Sequence, residues 1–208
     1  MILIKAKDSN TAWRDTLKQL YFSQLETDND KYYRDEPTLI EIESPVYQIS
    51  DELFPMNSND LKIINEYIVS GKNEEKVIHE WTKIYYHRIF DQPNSQFNFF
   101  IEKLKAGMPV GEAQISMWDK KVDQSASISP CTQIIWGRIR HGKLEIHVHA
   151  HSSDAYKKLL MNIQESISFQ NFVAQRLYVP VGKYFHFIDS CHIHKNDLEE
   201  VQQIIPKL

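Results

Sequence analysis

The sequence predicts a single α/β domain of the α+β type over residues 1–208, and three observations support this. Helix-forming and strand-forming segments alternate through the first half of the chain, and the second half is richer in strands. The 208 residues, of which 42% are hydrophobic, suffice for one sizeable core. No linker, internal repeat or low-complexity tract divides the chain. One compact unit is therefore expected.

Four helices and one strand are expected in the first half. The helices place apolar residues at helical spacing, the strand alternates in polarity, and polar segments, glycine or proline end them. The predicted helices cover residues 11–26, 59–69, 74–89 and 96–104, and the strand runs from Thr38 to the Ser44-Pro45 step.

The second half is predicted to hold a β-hairpin, a long helix and a final strand. A strand-like segment at 111–118 and a polar loop at 120–129 precede the hairpin, whose turn is His141-Gly142. Its returning strand presents alternate residues on opposite faces, so that Glu145, His147, His149 and His151 share one face. The hairpin strands cover 132–138 and 143–149, the helix covers 155–177, the final strand covers 184–188, and a short helix starts at Asp197.

Composition narrows the classes of function. The net charge of −4 gives no general attraction to nucleic acid or to anionic membranes, and no partner of either kind is expected. No apolar run reaches the length of a membrane span, and the N-terminal segment lacks a signal core, so a cytoplasmic location is expected. Cys131 and Cys191 are then predicted to be free thiols.

Five short motifs occur in a fixed order between Val110 and Asp197. They are Ser116-x-Trp118, Pro130-Cys131, Ser152-x-Asp154, Asn162 and His192-x-His194. Their order and spacing resemble the catalytic half of thymidylate synthases, which methylate C5 of a pyrimidine through a cysteine nucleophile. The resemblance implies a mixed sheet layered with helices, which dimerises through a face of the sheet. We therefore expect a homodimer.

The resemblance also implies a role for each motif residue. Cys131 would attack C6 of a pyrimidine nucleotide or nucleoside, Asn162 would hydrogen-bond the base, and His192 would contact the sugar hydroxyl. Asp154 lies where the family holds its folate, so 5,10-methylenetetrahydrofolate is the expected one-carbon donor. The substrate-binding residues implied are Arg34, His151, Ser152, Asn162, His192 and His194.

The chemistry accounts for these residue types. Pyrimidine C5 is a weak nucleophile, but addition of a thiolate at C6 produces an enolate whose charge drives attack from C5. That step needs a thiolate and donors directed at the enolate oxygen. The amide of Asn162 carries a donor and an acceptor and suits a uracil edge, whereas a carboxylate would suit cytosine better.

Several positions depart from the family pattern. Of the arginines that hold phosphate in the family, Arg34 matches one, but His151 replaces another, and Gly111-Glu112 stands where the partner subunit's arginine pair belongs. Charge-assisted phosphate contacts contribute about 1.5–3 kcal/mol each, so the missing arginines would weaken the binding of a phosphate. Whether the substrate carries a phosphate therefore stays open. The family's water-ordering glutamate has no matching position within 64–75, where Glu66 and Glu74 are neighbours only. Because the sequence ends soon after His194, we also expect no counterpart of the C-terminal segment that closes over folate.

Each feature also has a plainer interpretation. A cysteine after proline can be a small buried apolar residue, Asp154 can cap the long helix, and Asn162 can cap it or bond a loop. The sequence does not distinguish methylation from hydroxymethylation, and a binding protein that keeps only the fold is a further alternative.

The histidines give another alternative. The i, i+2 spacing of five of them suits a transition-metal site and hence a metal-dependent enzyme or metal-binding module. They are His147, His149 and His151 on one strand, with His192 and His194 on another.

Overall fold

A computed structural model describes residues 1–23, 27, 29–91, 95–107 and 113–208 of the chain, and a six-stranded mixed sheet forms its centre. The order across the sheet is β1-β2-β6-β5-β4-β3. The β1/β2 and β5/β6 pairs are parallel, and the other neighbours are antiparallel. The strands are β1 (Ile2–Ala6), β2 (Tyr32–Ile42), β3 (Gln114–Ser116), β4 (Thr132–Arg140), β5 (Lys143–Asp154) and β6 (Val181–His194).

Helices pack on this sheet and on one another. Among the described residues they are α1 (Ser9–Tyr21), α2 (Ser58–Ser70), α3 (Glu80–Phe90), α4 (Gln96–Lys105), α5 (Lys120–Asp123), α6 (Leu159–Leu177) and α7 (Leu198–Ile204). Short 3₁₀ turns lie at Glu74–Lys76, Lys195–Asp197 and Ile205–Lys207. The predicted α/β class, with a mixed sheet layered with helices, is confirmed.

The core lies between the sheet and α6, which contacts β5, β6, α1, α2 and α4. Leu144, Ile146 and Val148 of β5 are buried there, as the alternation of the strand predicts. The buried Trp13 of α1 donates its indole N–H to the carbonyl of Ala155 at 2.9 Å. This bond ties the N-terminal helix to the segment that leads into α6.

Short-range sequence preferences predicted two chain reversals correctly. The hairpin between β4 and β5 turns at His141 and Gly142, whose φ values of 49° and 72° are both positive, as two-residue hairpin turns require. Gly71 ends α2 in the left-handed region, with φ of 65°. Both predictions are confirmed.

Other boundaries differ from the predictions. β6 extends to His194 instead of ending at 188, because β5 pairs with it through Ser190 to His192 and β2 pairs with it again from Cys191 to His194, beyond a bulge at Asp189 and Ser190. β2 begins at Tyr32, inside a segment predicted to be a connection. α6 begins at Leu159, with Lys158 and not Asp154 as its N-cap.

The smaller differences have local causes. The predicted helix at 74–89 is split, because Val77 and His79 adopt extended backbone between the 3₁₀ turn at Glu74–Lys76 and the start of α3. Asp119 caps a short helix within the predicted loop 120–129. Asp197 occupies the N-cap position of α7, as predicted, but its side chain makes no capping bond and its carboxylate accepts a hydrogen bond from Lys157. α1 ends at Tyr21, short of the predicted 26. β3 covers only 114–116 of the predicted 111–118. Residues 24–26 and 111–112 lie outside the described residues.

The face of the sheet opposite α6 carries a row of partly exposed rings. Trp136, His147 and Phe185 are neighbours across β4, β5 and β6, with ring centroids 4.8 Å and 4.4 Å apart along the row. Ile134, His149 and Phe187 form the next row. We call these six residues the aromatic sheet face.

In the part of the chain that the structure describes, no helix is both long and apolar enough to cross a membrane.

Candidate active site

A cleft of about 230 Å³ opens where the parallel strands β5 and β6 end. The carboxyl ends of parallel strands are the usual position of ligand sites in open α/β sheets. Five separate parts of the chain line this cleft. Its lining residues are Tyr32, His79, Trp81, Tyr85, Cys131, Ser152, Ser153, Asp154, Lys158, Asn162, His192 and His194.

The thiol of Cys131 lies in this cleft and is partly exposed. The hydroxyl of Ser152 donates to its Sγ at 3.5 Å, and the carbonyl of Cys131 accepts from the backbone N–H of His151 at 2.9 Å. The other cysteine, Cys191, is fully buried, and burial raises the pKa of its thiol to about 12. Of the two thiols, Cys131 is therefore the accessible one.

The amide of Asn162 lines the same cleft as the Cys131 thiol. Asn162 lies within α6, so it does not cap the helix, and its Nδ2 donates to Ser153 Oγ at 3.2 Å. Asp154 accepts the backbone N–H groups of Tyr156 and Lys157 on one oxygen, at 3.0 Å each. These bonds fix the turn that places Asp154 in the cleft wall, and leave its second carboxylate oxygen as an acceptor.

Stacked rings form another wall of the cleft. Tyr32, at the start of β2, stacks on His192 with ring centroids 4.0 Å apart and planes 11° apart, and His194 meets both rings edge-on. Burial lowers the pKa of His192, and its Nδ1 lies 3.2 Å from the carbonyl of Ser190. A neutral ring that donates from Nδ1 keeps Nε2 as an acceptor for a ligand hydroxyl.

His79 and Lys158 complete the polar lining. Burial, with a smaller effect from the charge of Lys158, lowers the pKa of His79 to about 4. The His79 ring is therefore neutral near pH 7. Its Nδ1 lies 3.1 Å from Thr82 Oγ1.

Sequence reasoning did not identify Tyr32, His79 or Lys158 as site residues. Tyr32 and His79 belong to segments with no motif of their own, far along the chain from Cys131, whereas Lys158 lies between the Ser152-x-Asp154 motif and Asn162.

Two predicted site residues lie apart from the cleft lining. Arg34 donates from Nε to the carbonyl of Ser23 at 2.7 Å and from a terminal nitrogen to the carbonyl of Tyr33 at 2.9 Å. The ring of His151 lies on the face of β5 away from the buried residues, and its Nε2 is buried with no hydrogen-bond partner among the described residues. Their substrate-binding roles stay predictions. Gly111-Glu112, at the position of the family's arginine pair, lies outside the described residues.

Comparison with known proteins identifies the family. The model of the family described as thymidylate synthase matches residues 45–207. The chain belongs to the thymidylate synthase family. It is thus a transferase of the thymidylate synthase type, and the resemblance found in the motifs is confirmed.

Individual relatives agree with this membership. A Methanocaldococcus jannaschii protein, provisionally named a thymidylate synthase, is 27% identical over 181 residues, which cover 82% of this chain and 79% of that protein. A Streptococcus suis thymidylate synthase is 30% identical over 96 residues, covering 44% of this chain and 34% of the enzyme. The solved structure of the thermostable thymidylate synthase A of Bacillus subtilis superposes with a TM-score of 0.74 at 13% identity, covering 96% of this chain and 84% of that one. It shows the same fold.

The described residues do not show the geometry that a histidine metal site requires. Within the described parts of this thymidylate synthase-family chain, no three His, Cys, Asp or Glu side chains come together as a metal site requires. His147 stacks on Phe185, and His149 pairs with Asp189 at 2.9 Å. The five histidines are thus divided between the aromatic sheet face, the cleft and the position of His151.

The two glutamates near the position of the family's water-ordering glutamate do not reach the cleft. Glu66 borders a separate surface pocket between α2 and α6. Glu74 accepts a hydrogen bond from the hydroxyl of Tyr67 at 2.9 Å. Neither carboxylate lines the cleft that holds Cys131.

Proposed function

We propose that this protein transfers a one-carbon unit, methyl or hydroxymethyl, to C5 of a pyrimidine nucleotide or nucleoside through a covalent bond between Cys131 Sγ and C6. The single observation that supports this most directly is that the accessible thiol of Cys131 and the amide of Asn162 line one cleft of about 230 Å³. That volume is large enough for a flat heterocycle.

The residues around Cys131 suit addition of a thiolate. The Ser152 hydroxyl already donates to Sγ and can stabilise the charged form, and Lys158 adds a positive charge to the same wall. As Sγ bonds to C6, the electron pair of the C5–C6 double bond moves toward the oxygen at C4. The donor half of the Asn162 amide would stabilise that oxygen.

The sugar and phosphate would lie toward β6. The proposed acceptor nitrogen of His192 would take a ribose hydroxyl, with Tyr32 holding the ring in place by stacking. Lys158 offers a cation that compensates in part for the arginines missing from the family pattern. Arg34 and His151 would contribute only if substrate draws them toward the cleft.

The one-carbon donor we propose is 5,10-methylenetetrahydrofolate, which supplies the electrophilic carbon. The residues present fit a folate. Trp81 and Tyr85 offer aromatic faces for a flat ring system, and the free oxygen of Asp154 can accept from ring N–H groups.

We also propose a homodimer formed through the aromatic sheet face. Partly exposed rings on adjacent strands make a contiguous apolar surface, and such surfaces in soluble proteins are characteristic of contacts between subunits. The cytoplasmic location and the absence of nucleic-acid and membrane partners stay predictions.

A ligand screen followed by a chemical assay tests the proposed function. Thermal shift with dUMP, dCMP, UMP, CMP and their nucleosides, each with and without methylenetetrahydrofolate, identifies the substrate. A ligand at 100 times its Kd should stabilise the protein by about 2.7 kcal/mol. Release of tritium from C5 of that substrate should then require Cys131, and the mass of the product distinguishes a methyl from a hydroxymethyl group.

The matched control is the second cysteine. Cys131→Ala should abolish tritium release, whereas Cys191→Ala should retain it. Binding without tritium release across the whole set would instead support a binding protein that keeps only the fold.

A further inference from the structure

We propose that His79, Thr82 and Glu165 form a proton relay that ends in the cleft, with His79 as the catalytic acid and base at pyrimidine C5 and Glu165 as a positioning residue. This inference rests on the proposed function and assigns its proton-transfer step. None of the three residues belongs to the motifs that led to the family.

The relay is continuous in the structure. His79 lines the cleft, and its Nδ1 lies 3.1 Å from the hydroxyl oxygen of Thr82. The Thr82 side chain is completely buried, and its hydroxyl lies close enough to the carboxyl group of Glu165 to act on the pKa of that carboxyl as a hydrogen-bond donor. One hydroxyl therefore connects an imidazole in the cleft with a carboxyl in the interior.

Glu165 lies one turn beyond Asn162 on α6 and is buried. Its Oε1 has no hydrogen-bond partner among the described residues, and its side chain lines a small cavity behind the cleft together with Tyr85 and Thr132. A buried carboxyl group with an unsatisfied oxygen costs stability, and such groups are concentrated at functional sites. Tyr85 borders both the small cavity and the cleft.

The surroundings of Glu165 allow it to change its protonation state near neutral pH. Burial raises the pKa of Glu165 to about 7, although the hydrogen bond from Thr82 acts in the opposite direction. The other titratable groups that interact with it are the phenols of Tyr85 on α3 and Tyr184 on β6, and burial raises the pKa of both. At the cleft end, Lys158 and Glu80 act on His79 with opposite signs.

The protonation state of Glu165 sets the role of His79. An ionised carboxylate only accepts, so Thr82 donates to it and must accept from the Nδ1–H of His79, which leaves Nε2 as a base. A protonated Glu165 reverses both bonds, so that Nε2 carries the proton of the neutral ring and can no longer act as a base. A single hydroxyl thus transmits the charge of a buried group to the reacting end of the imidazole.

The proton transfer balances without a further reactant. In the adduct, C6 is bonded to Sγ of Cys131 and C5 carries its original hydrogen and the new carbon. The C5–H bond breaks, its electron pair forms the C4–C5 double bond of the enolate, and the proton moves to Nε2 of His79. The resulting imidazolium is stabilised through Thr82 by the Glu165 carboxylate, and it returns the proton to water.

Three variants and a control separate this role from folding. The variants are His79→Asn, Thr82→Val and Glu165→Gln, and the control is Glu66→Gln, an exposed carboxylate on α2 that borders a separate pocket. Each protein is given methylenetetrahydrofolate with dUMP, dCMP, UMP or CMP tritiated at C5, and separately with the 5-fluoro analogues. Fluorine cannot leave C5 as a proton does, so the fluorinated adduct on Cys131 forms without the step assigned to His79.

The expected result is a split between the two assays. His79→Asn should release tritium at least about 100-fold more slowly and Glu165→Gln about tenfold more slowly, while both form the fluorinated adduct at the wild-type rate. Thr82→Val should resemble Glu165→Gln. Glu66→Gln should match wild type in both assays.

A pH profile distinguishes the relay from a structural role. Because the base form of His79 requires ionised Glu165, the ratio of tritium release to adduct formation should rise with pH through about 7 in wild type. Taking the ratio removes the contribution of the Cys131 thiol. Glu165→Gln should show no such rise.

The outcomes separate the relay from the proposed function. If wild type gives neither tritium release nor adduct with any substrate, the proposed function is overturned and the relay with it. If wild type is active and folded His79→Asn releases tritium within twofold of it, only the relay is overturned. Equal losses in both assays would also overturn the relay, since they would show a role in binding.

Discussion

At the residue scale, the environment of each side chain decides its chemistry. Cys131 and Cys191 are the same amino acid, but the first shares a cleft with Ser152 and the second is enclosed in the core, where burial raises the pKa of its thiol to about 12. The histidines differ in the same way. His79 lines the cleft, whereas His147 stacks on Phe185 and meets Trp136 edge-on in the aromatic sheet face.

Asn162→Asp should change which base is preferred. The carboxylate loses the donor that serves a uracil carbonyl and gains an acceptor for the amino group of cytosine. We expect the affinity for the uracil nucleotide, relative to its cytosine counterpart, to fall at least about tenfold, measured by calorimetric titration. Gln175→Glu, an exposed amide-to-carboxylate change on the same helix, is the control and should leave the ratio unchanged. An unaltered ratio in Asn162→Asp would remove the base-reading role from this residue.

At the element scale, close packing between α4 and the sheet depends on a residue without a side chain. A Cβ at Gly137 of β4 would lie 2.5 Å from Phe100 Cζ and 3.1 Å from Ile146 Cδ1. Gly137→Ala should therefore lower the free energy of unfolding by about 1–3 kcal/mol in urea denaturation. Adding Phe100→Leu should recover part of the loss, because it removes the ring that the new methyl group meets. Two strictly additive effects would contradict this account.

The elements also show what local sequence predicts and what it does not. The hairpin at His141-Gly142 and the end of α2 at Gly71 were predicted because their signals are local turn preferences. The full length of β6 was not, since its polar stretch becomes a strand only when two neighbouring strands supply hydrogen bonds. β1 was not predicted either, and it is held by parallel pairing with β2 from a distant segment.

The same limit applies to the site. The ordered motifs gave the residues on β5, α6 and β6 together with Cys131, because one family-like run of sequence carries them all. Tyr32 and His79 reach the cleft through tertiary packing of other segments, and no local pattern marks them. Glu165 belongs to none of the motifs, and its charged side chain is buried on α6.

At the scale of the whole molecule, the proposed homodimer has a direct test. Phe185→Asp would place a charge in the middle of the aromatic sheet face, where association would desolvate it. Wild type should behave as a dimer in light scattering, and this variant should behave as a monomer. Ile49→Asp, at an exposed position away from that face, should remain dimeric. A monomeric wild-type protein would refute the proposed interface.

Acid should destabilise the whole fold through a buried histidine on β6. Burial lowers the pKa of His186 to about 3 from its ordinary value of 6.5, and its Nδ1 lies 2.9 Å from the hydroxyl of Tyr184. The folded state therefore binds fewer protons than the unfolded state, and stability falls as pH drops from 6.5 toward 3. At pH 5 the loss from this group is about 2 kcal/mol.

Two variants test whether His186 causes this loss of stability in acid. His186→Gln keeps a partner for Tyr184 and should reduce the difference in unfolding free energy between pH 7 and pH 5 by about 2 kcal/mol. The control, His141→Asn, lies at the hairpin turn with a φ of 49°, which asparagine tolerates, and should leave the difference unchanged. Equal acid sensitivity in all three proteins would show that other groups dominate.

The position of Trp81 gives the cleft an intrinsic optical reporter. The chain has four tryptophans, and Trp13, fully enclosed in the core, supplies a steady background, whereas the indole of Trp81 lines the cleft. A heterocycle or pterin that stacks beside this indole would quench its emission. Binding of a ligand in the cleft can then be followed by fluorescence in real time without any label. A Trp81→Phe variant should bind the same ligand without this quenching.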